Sequence, residues 1–299
     1  MKVGIIGAGA IGMLLASYGA KAFEHITLFT KTKEQAVLLC KHGLQLEREG
    51  QVMPVSVEIK CIEGENLDNF DVLFITVKQY HLQQLLSTLG SSRPPAIFFQ
   101  NGMGHLSLLE NVQASSVFVG IMEHGALKIA PNVVRHTGIG VLKLGIMKGS
   151  PEVVLHVSRA LKEAGFATVV VGDWLQTLEN KLIANACINP LTAIFQVENG
   201  KLLENKHLYA LMRYLFEEAV EVLQKEDKAT LWEEVLHIIR NTALNRSSML
   251  RDIDNGNQTE IDAIIGYLLA RGQSVSMPHH HFVYESIKAL EWKRGVDRD

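Results

Sequence analysis

The chain has 299 residues, 47% hydrophobic and 20% charged, which is enough for two medium domains with a sizeable core and argues against disorder. A formal net charge of -3 with no basic run excludes nucleic acid or an anionic membrane as an electrostatic partner. The three cysteines, Cys40, Cys61 and Cys187, stand far apart without metal-type spacing, and neither a signal-type start nor a run of ~18 apolar residues is present, so a reduced, cytoplasmic protein is expected.

The first half alternates strand-like and helix-like segments. Residues 2–6 form a short apolar run ending in glycine, and residues 11–23 follow with Ile11, Leu14, Leu15 and Tyr18 at helical spacing. Residues 25–30 read as a second strand. Further buried strands are predicted over 72–77, 96–99, 117–122 and 168–171, each rich in Val, Ile or Phe. Such alternation implies a parallel sheet covered on both faces. Residues 44–57 and 133–144 read as hairpin additions. From Trp174 onward helical periodicity dominates, over 174–188, 207–225, 231–244, 260–271 and 282–292. The shift near Gly172-Asp173 predicts two domains, residues 1–172 and 173–299.

Gly7-Ala8-Gly9-Ala10-Ile11-Gly12 fits G-x-G-x-x-G between the first strand and the first helix, the setting in which the pattern is informative. Gly7 permits a sharp turn, Gly9 lets a pyrophosphate approach the backbone, and Gly12 lets the helix sit close to the strand. The helix N-terminus offers amides and partial positive charge. A tight strand–helix turn without ligand is the alternative. The fold class expected is α/β: an N-terminal Rossmann-type doubly wound sheet, then an all-helical C-terminal domain. An NAD-specific site places a carboxylate at the end of the second strand; here Thr30, Lys31 and Lys33 stand there, suited to a 2′-phosphate. NADP(H) is therefore expected, although these lysines could also simply solvate a loop.

A second constellation lies at Lys181, Asn185 and Asn189, spaced i, i+4, i+8 among residues that are almost all apolar. Burying them is costly unless they are paired or used. Lys181 can act as a proton donor to the oxygen of a ketone that receives hydride, or it can be a structural ion-pair residue. Pro190 is expected to break or kink this helix at Asn189. Asn245, Ser248 and Glu260 lie near later helix starts, where Ser and Glu also serve as caps. Lys78 and Asn101 follow predicted strands, where ligands of open parallel sheets sit; Asn101-Gly102 also reads as a plain turn. Pro278-His279-His280-His281 reads as a polar helix start rather than a metal site, and no metal is expected. His124 reads as a satisfied loop histidine.

Together these segments resemble the ketopantoate reductases (2-dehydropantoate 2-reductases). The residues that carry the resemblance are Gly7 to Gly12, Thr76-Val77-Lys78, Gln100-Asn101-Gly102-Met103-Gly104, Lys181 to Ala193, Ser247-Ser248-Met249-Leu250-Arg251-Asp252 and Thr259-Glu260-Ile261-Asp262. The resemblance implies hydride transfer from NADPH to the C2 carbonyl of 2-dehydropantoate, a step towards pantothenate and coenzyme A. It implies Lys181 as general acid, Glu260 as second catalytic group, and Asn101, Asn185, Asn189, Asn245 and Ser248 as substrate contacts. Lys78, with Asn101, is implied at the cofactor, and a homodimer is a further possibility. Lys31 stands where the family often has arginine; it keeps the charge but loses the planar fork, so a weaker NADP preference is expected. Two other readings stay open: reduction of another branched 2-keto acid or an imine-forming, opine-type reaction, and a non-catalytic NADP-binding sensor, which would not need both Lys181 and Glu260.

Overall fold

The computed structural model describes residues 1–88 and 94–296. By internal contacts the chain divides into two compact units: Met1–Gln100 with Ser107–Leu175, and Asn101–Leu106 with Gln176–Asp299. Among the described residues no helix is long and apolar enough to cross a membrane.

Among the described residues the first unit holds twelve strands: β1 (Lys2–Ile6), β2 (His25–Thr30), β3 (Leu44–Arg48), β4 (Gln51–Val55), β5 (Glu58–Cys61), β6 (Val72–Ile75), β7 (Ala96–Phe98), β8 (Val117–Met122), β9 (Gly125–Ala130), β10 (Val133–Gly138), β11 (Leu142–Lys148) and β12 (Thr168–Val171). Eight form one sheet in the order β12-β11-β8-β7-β6-β1-β2-β5, parallel throughout except for β11 against β8. Its central strands β6 and β8 are buried at every position, which is why they read as unbroken apolar runs. The chain leaves β1 for β2 on one side and later places β6 on the other. The carboxyl ends of β1 and β6 therefore flank a topological switch point, where ligands of such sheets bind.

The other four strands form a small sheet, β4-β3-β10-β9, that packs on helix Ala10–Ala22. The 44–57 hairpin is present as β3–β4. The 133–144 hairpin is not. β10 instead turns back on β9, while β11 joins the main sheet antiparallel to β8. The Pro131-Asn132 turn supplies the reversal, and Gly138 to Gly140 carries the chain from one sheet to the other.

The second unit is helical. Helix Trp174–Phe195, from its third residue onward, runs through it and is buried almost continuously from Leu182 to Ala193. It does not break at Pro190. The proline lacks the N–H that would bond the Ala186 carbonyl. The Thr192 hydroxyl lies 2.9 and 3.0 Å from the Ile188 and Asn189 carbonyl oxygens, so the local backbone keeps polar company. Near its start the buried Glu179 is paired with Lys225 at 2.6 Å and Arg271 at 3.3 Å. Helices Lys201–Glu204, Lys206–Val222, Lys228–Asn241, Ser248–Asp254 and Pro278–Lys293 also belong to this unit. The segment expected as one helix over 260–271 opens instead with a π-helical turn, Asp262–Gly266, before α-helix Tyr267–Arg271.

The triple histidine has a structural use. Glu218 accepts hydrogen bonds from the backbone amides of His279 and His280, each 3.0 Å, and lies 2.6 Å from both Nδ1 atoms, which caps helix Pro278–Lys293. Burial pushes the Glu218 carboxyl up, but hydrogen bonds from His280 and His279 outweigh that and bring it down to about 2. Among the described residues no group of three or more His, Cys, Asp or Glu could hold a metal.

Candidate functional site

The glycine turn at the end of β1 is built to stay open. Gly7 has φ +117°, reserved in practice for glycine, and a Cβ there would lie 2.9 Å from Thr76 Oγ1. A Cβ on Gly12 would stand 1.8 Å from the Gly7 carbonyl oxygen, so the helix can approach the turn only without a side chain. Thr76, at the end of β6, lies 3.0 and 2.9 Å from the Ile6 and Gly7 carbonyl oxygens and ties the two strand ends together. Gln100 donates to the Ile75 and Val77 carbonyls at 3.0 and 2.9 Å and fixes the neighbouring strand end.

At Gly9, by contrast, a Cβ would meet nothing within 4 Å. Gly9 is the N-cap of helix Ala10–Ala22, with no side-chain cap and no acidic residue in the first turn. The first amides of that helix, at Ala10, Ile11 and Gly12, have no helical partner by geometry. An open space, free amides and a partial positive charge meet there, which fits a dinucleotide pyrophosphate.

The end of β2 is less open. Thr30 is 1% exposed and its hydroxyl donates to the Thr32 carbonyl at 2.8 Å, so it is engaged within the turn. Lys31 is exposed; Lys33 is exposed and pairs with Glu63 at 3.1 Å. Thr32 caps the next helix by accepting from the Gln35 amide. No carboxylate stands at the end of β2. Lys78 is part-buried just after β6.

The second unit brings Lys181, Asn101 and Glu260 together. The Lys181 ammonium donates to Asn101 Oδ1 at 3.0 Å, and Asn101 Nδ2 donates to Glu260 Oε2 at 2.9 Å. The amide thus uses both of its ends, which fixes its orientation. Glu260 is 7% exposed and sits two residues before the π-helical turn. Its segment is anchored by the Thr259 amide, which donates to the wholly buried Glu291 at 2.7 Å. Asn101 is anchored from the other side, where the Met103 amide donates to the Ala263 carbonyl at 3.1 Å.

Asn189 is buried and Asn185 part-buried on the Lys181 helix. Ser248 is exposed as the first residue of helix Ser248–Asp254; the cap is its neighbour Ser247, which accepts from the Leu250 amide at 3.1 Å and lies 2.8 Å from the Thr192 hydroxyl. Asn245 is part-buried, and its carbonyl accepts from the Asn199 amide at 3.0 Å.

Sequence reasoning passed over two side chains. His105 is fully buried beside this cluster, and burial lowers its pKa to about 4 against the opposing influence of the Glu260 charge. Lys128, on β9, donates to the Ala8 carbonyl at 3.2 Å. Neither carries a sequence signal: a histidine after a glycine turn and a lysine on a strand both read as surface.

Comparison with known proteins agrees with this geometry. The family described as Ketopantoate reductase PanE/ApbA matches residues 3–149, and its C-terminal counterpart matches residues 173–291. The 2-dehydropantoate 2-reductase of Bacillus subtilis (strain 168) is 39% identical, covering 97% of this chain and 98% of its own. That of Listeria monocytogenes is also 39% identical, over 99% of both chains. A crystal structure of a probable 2-dehydropantoate 2-reductase from Bacillus subtilis superposes with a TM-score of 0.83 at 38% identity, covering 97% of this chain and 100% of that one. A D-mandelate dehydrogenase shares the fold at 22% identity, with a TM-score of 0.91 over 99% of this chain and 100% of its own. The chain belongs to the ketopantoate reductase family of oxidoreductases.

Proposed function

We propose that this protein reduces 2-dehydropantoate to pantoate with NADPH, with Lys181 as the general acid. Residues 1–172 are read as the cofactor-binding domain and 173–299 as the substrate domain. The observation that carries the mechanism is the hydrogen-bonded series Lys181–Asn101–Glu260.

The nicotinamide cofactor, when bound, supplies a hydride to the C2 carbonyl. The residues that would hold it are Gly7, Ala8, Gly9, Ala10, Ile11 and Gly12 at the pyrophosphate, with Lys31 and Lys33 near a 2′-phosphate and Lys78 and Asn101 towards the reacting end. Thr30 shapes that turn through its hydrogen bond to Thr32.

Negative charge builds on the carbonyl oxygen as hydride arrives. An ammonium in hydrogen-bond reach stabilises that charge and then transfers a proton to it. Asn101 Oδ1 accepts a hydrogen bond from Lys181 and so aims the ammonium; the Glu260 carboxylate holds Asn101 in that rotamer. Asn185 and Asn189, one and two turns along the same helix, with Asn245 and Ser248, offer amide and hydroxyl donors of the kind that hold a carboxylate and a hydroxyl of the substrate. Cys40, Cys61 and Cys187 are all free thiols, which fits a reducing, cytoplasmic setting.

The test is consumption of NADPH with 2-dehydropantoate, compared with pyruvate, 2-ketoisovalerate and an NADH control. Fast turnover confined to 2-dehydropantoate with NADPH supports the whole reading. Turnover of another 2-keto acid in its place rejects the substrate, and equal rates with NADH reject the cofactor preference.

A further inference from the structure

Lys128 belongs to β9 of the small sheet, which packs on the helix that opens the glycine turn. Its ammonium is part-buried and donates to the carbonyl of Ala8, between Gly7 and Gly9, at 3.2 Å. Burial lowers its pKa from lysine's ordinary value, and among the described residues no carboxylate opposes that shift. A cation drawn out of water beside a single carbonyl dipole lacks a counter-charge, and groups in that position are stabilised by an anion.

The anion is suggested by what surrounds Ala8. Space is open at Gly9, the helix amides begin at Ala10, and the helix has no acidic residue in its first turn. Lys31 and Lys33 stand further along, after β2, and Lys33 is already paired with Glu63. Lys128 thus brings its ammonium within hydrogen-bond distance of the turn itself, through the Ala8 carbonyl, and a compact ammonium suits phosphate as a point charge.

We infer that Lys128 is a further cofactor-binding residue, whose ammonium neutralises the dinucleotide pyrophosphate held at the Gly7-Ala8-Gly9 turn. This rests on the reading of that turn as the dinucleotide site. Because the pyrophosphate is common to NADPH and NADH, Lys128 contributes affinity for both and no selectivity between them.

The experiment is calorimetric titration of NADPH and of NADH into the wild-type protein, Lys128→Met and Lys128→Arg, with no substrate present. Lys128→Met is expected to weaken both dinucleotides by a similar factor, about ten- to a hundredfold as for loss of a charged hydrogen bond, with a shallower salt dependence. Lys128→Arg should recover most of the affinity. Should Lys128→Met fail to fold, Lys128→Gln carries the same expectation. Unchanged affinities in the charge-removing variant overturn the inference while leaving the turn's role intact. A loss confined to NADPH overturns it too, by moving the lysine to the 2′-phosphate. A wild-type protein that binds neither dinucleotide overturns the reading of the turn and this inference with it.

Discussion

Gly102 stands directly against Ala263: a Cβ on Gly102 would lie 2.2 Å from the Ala263 carbonyl oxygen, and Gly102 has φ +73°. The glycine is required twice over, by its conformation and by the close approach. That approach also allows the Met103 amide to bond the Ala263 carbonyl, which sets Asn101 in register with Glu260. Gly102→Ala should therefore act on the site without touching its polar groups. Turnover is expected to fall at least about tenfold, and stability by about 1–3 kcal/mol, the range for backbone strain of this kind. Steady-state kinetics and thermal melting check this. Wild-type values in both would show that the contact does not hold the site.

Lys181→Ala is expected to lower kcat by about 10²–10⁴-fold, the usual worth of a positioned proton donor. NADPH affinity should be largely kept, because the ammonium acts mainly in the transition state. Rapid-mixing kinetics with a parallel binding titration separate the two effects. A variant that turns over at the wild-type rate would remove Lys181 from the mechanism.

Glu260 separates two roles through two substitutions. If it positions Asn101, Glu260→Gln retains an oxygen that can accept from Asn101 Nδ2, while Glu260→Ala leaves that donor without its partner. The alanine variant should then lose about 1.5–3 kcal/mol of transition-state stabilisation, the worth of a hydrogen bond to a charged group, and the glutamine variant distinctly less. Equal losses would mean that the charge itself, rather than the hydrogen bond, is what the reaction uses.

Part of this arrangement is visible in the chain as written. The glycine turn is visible because its spacing falls between a buried strand and an apolar helix. The polar stripe of Lys181, Asn185 and Asn189 is visible because the residues between them, 182–184 and 186–188, are apolar. What brings Asn101 to Lys181 and Glu260 is not visible, since the partners are 80 and 159 residues apart and no local period encodes such a distance. The π-helical turn after Glu260 is hidden for a different reason. Its apolar residues Ala263, Ile264 and Ile265 satisfy an α-helical period as well as a wider one. Pro190 misleads because its effect depends on whether nearby hydroxyls such as that of Thr192 keep the backbone polar groups in company. A hairpin over 133–144 pairs the wrong strands because β10 and β11 are both short, alternating and separated by glycines, and only sheet membership tells them apart.

Two buried histidines make the fold sensitive to mild acid. In the first unit the Gly140 amide donates to His124 Nδ1 at 3.2 Å, so that nitrogen is an acceptor and His124 carries its proton on Nε2, 3.1 Å from the Ala167 carbonyl. His136 then donates from Nε2 to His124 Nδ1 at 3.2 Å and accepts from Tyr18 at Nδ1 at 2.8 Å. Both rings are neutral in this arrangement, and a second proton on either breaks a bond. Burial, then the repulsion that a proton on His124 and the Arg48 guanidinium would each exert on a second charge, lowers His136 to about 4; burial lowers His105 in the second unit to about 4 as well. An unfolded histidine titrates near 6.5, so between pH 6.5 and 4 the unfolded chain binds the extra protons and stability falls as pH falls. The contribution is complete above about pH 6.5 and lost by about pH 4, on the order of 3 kcal/mol for each histidine at most. Glu218, lowered to about 2, adds a separate loss that begins only below its unfolded value of 4.5. Denaturant unfolding at a series of pH values should therefore show a slope that starts well above the carboxylate range. His136→Gln and His105→Met, which cannot titrate there, should each flatten it between pH 6.5 and 4, whatever they cost at pH 7. An unaltered slope in both variants would mean that the histidines are protonated without penalty in the folded protein.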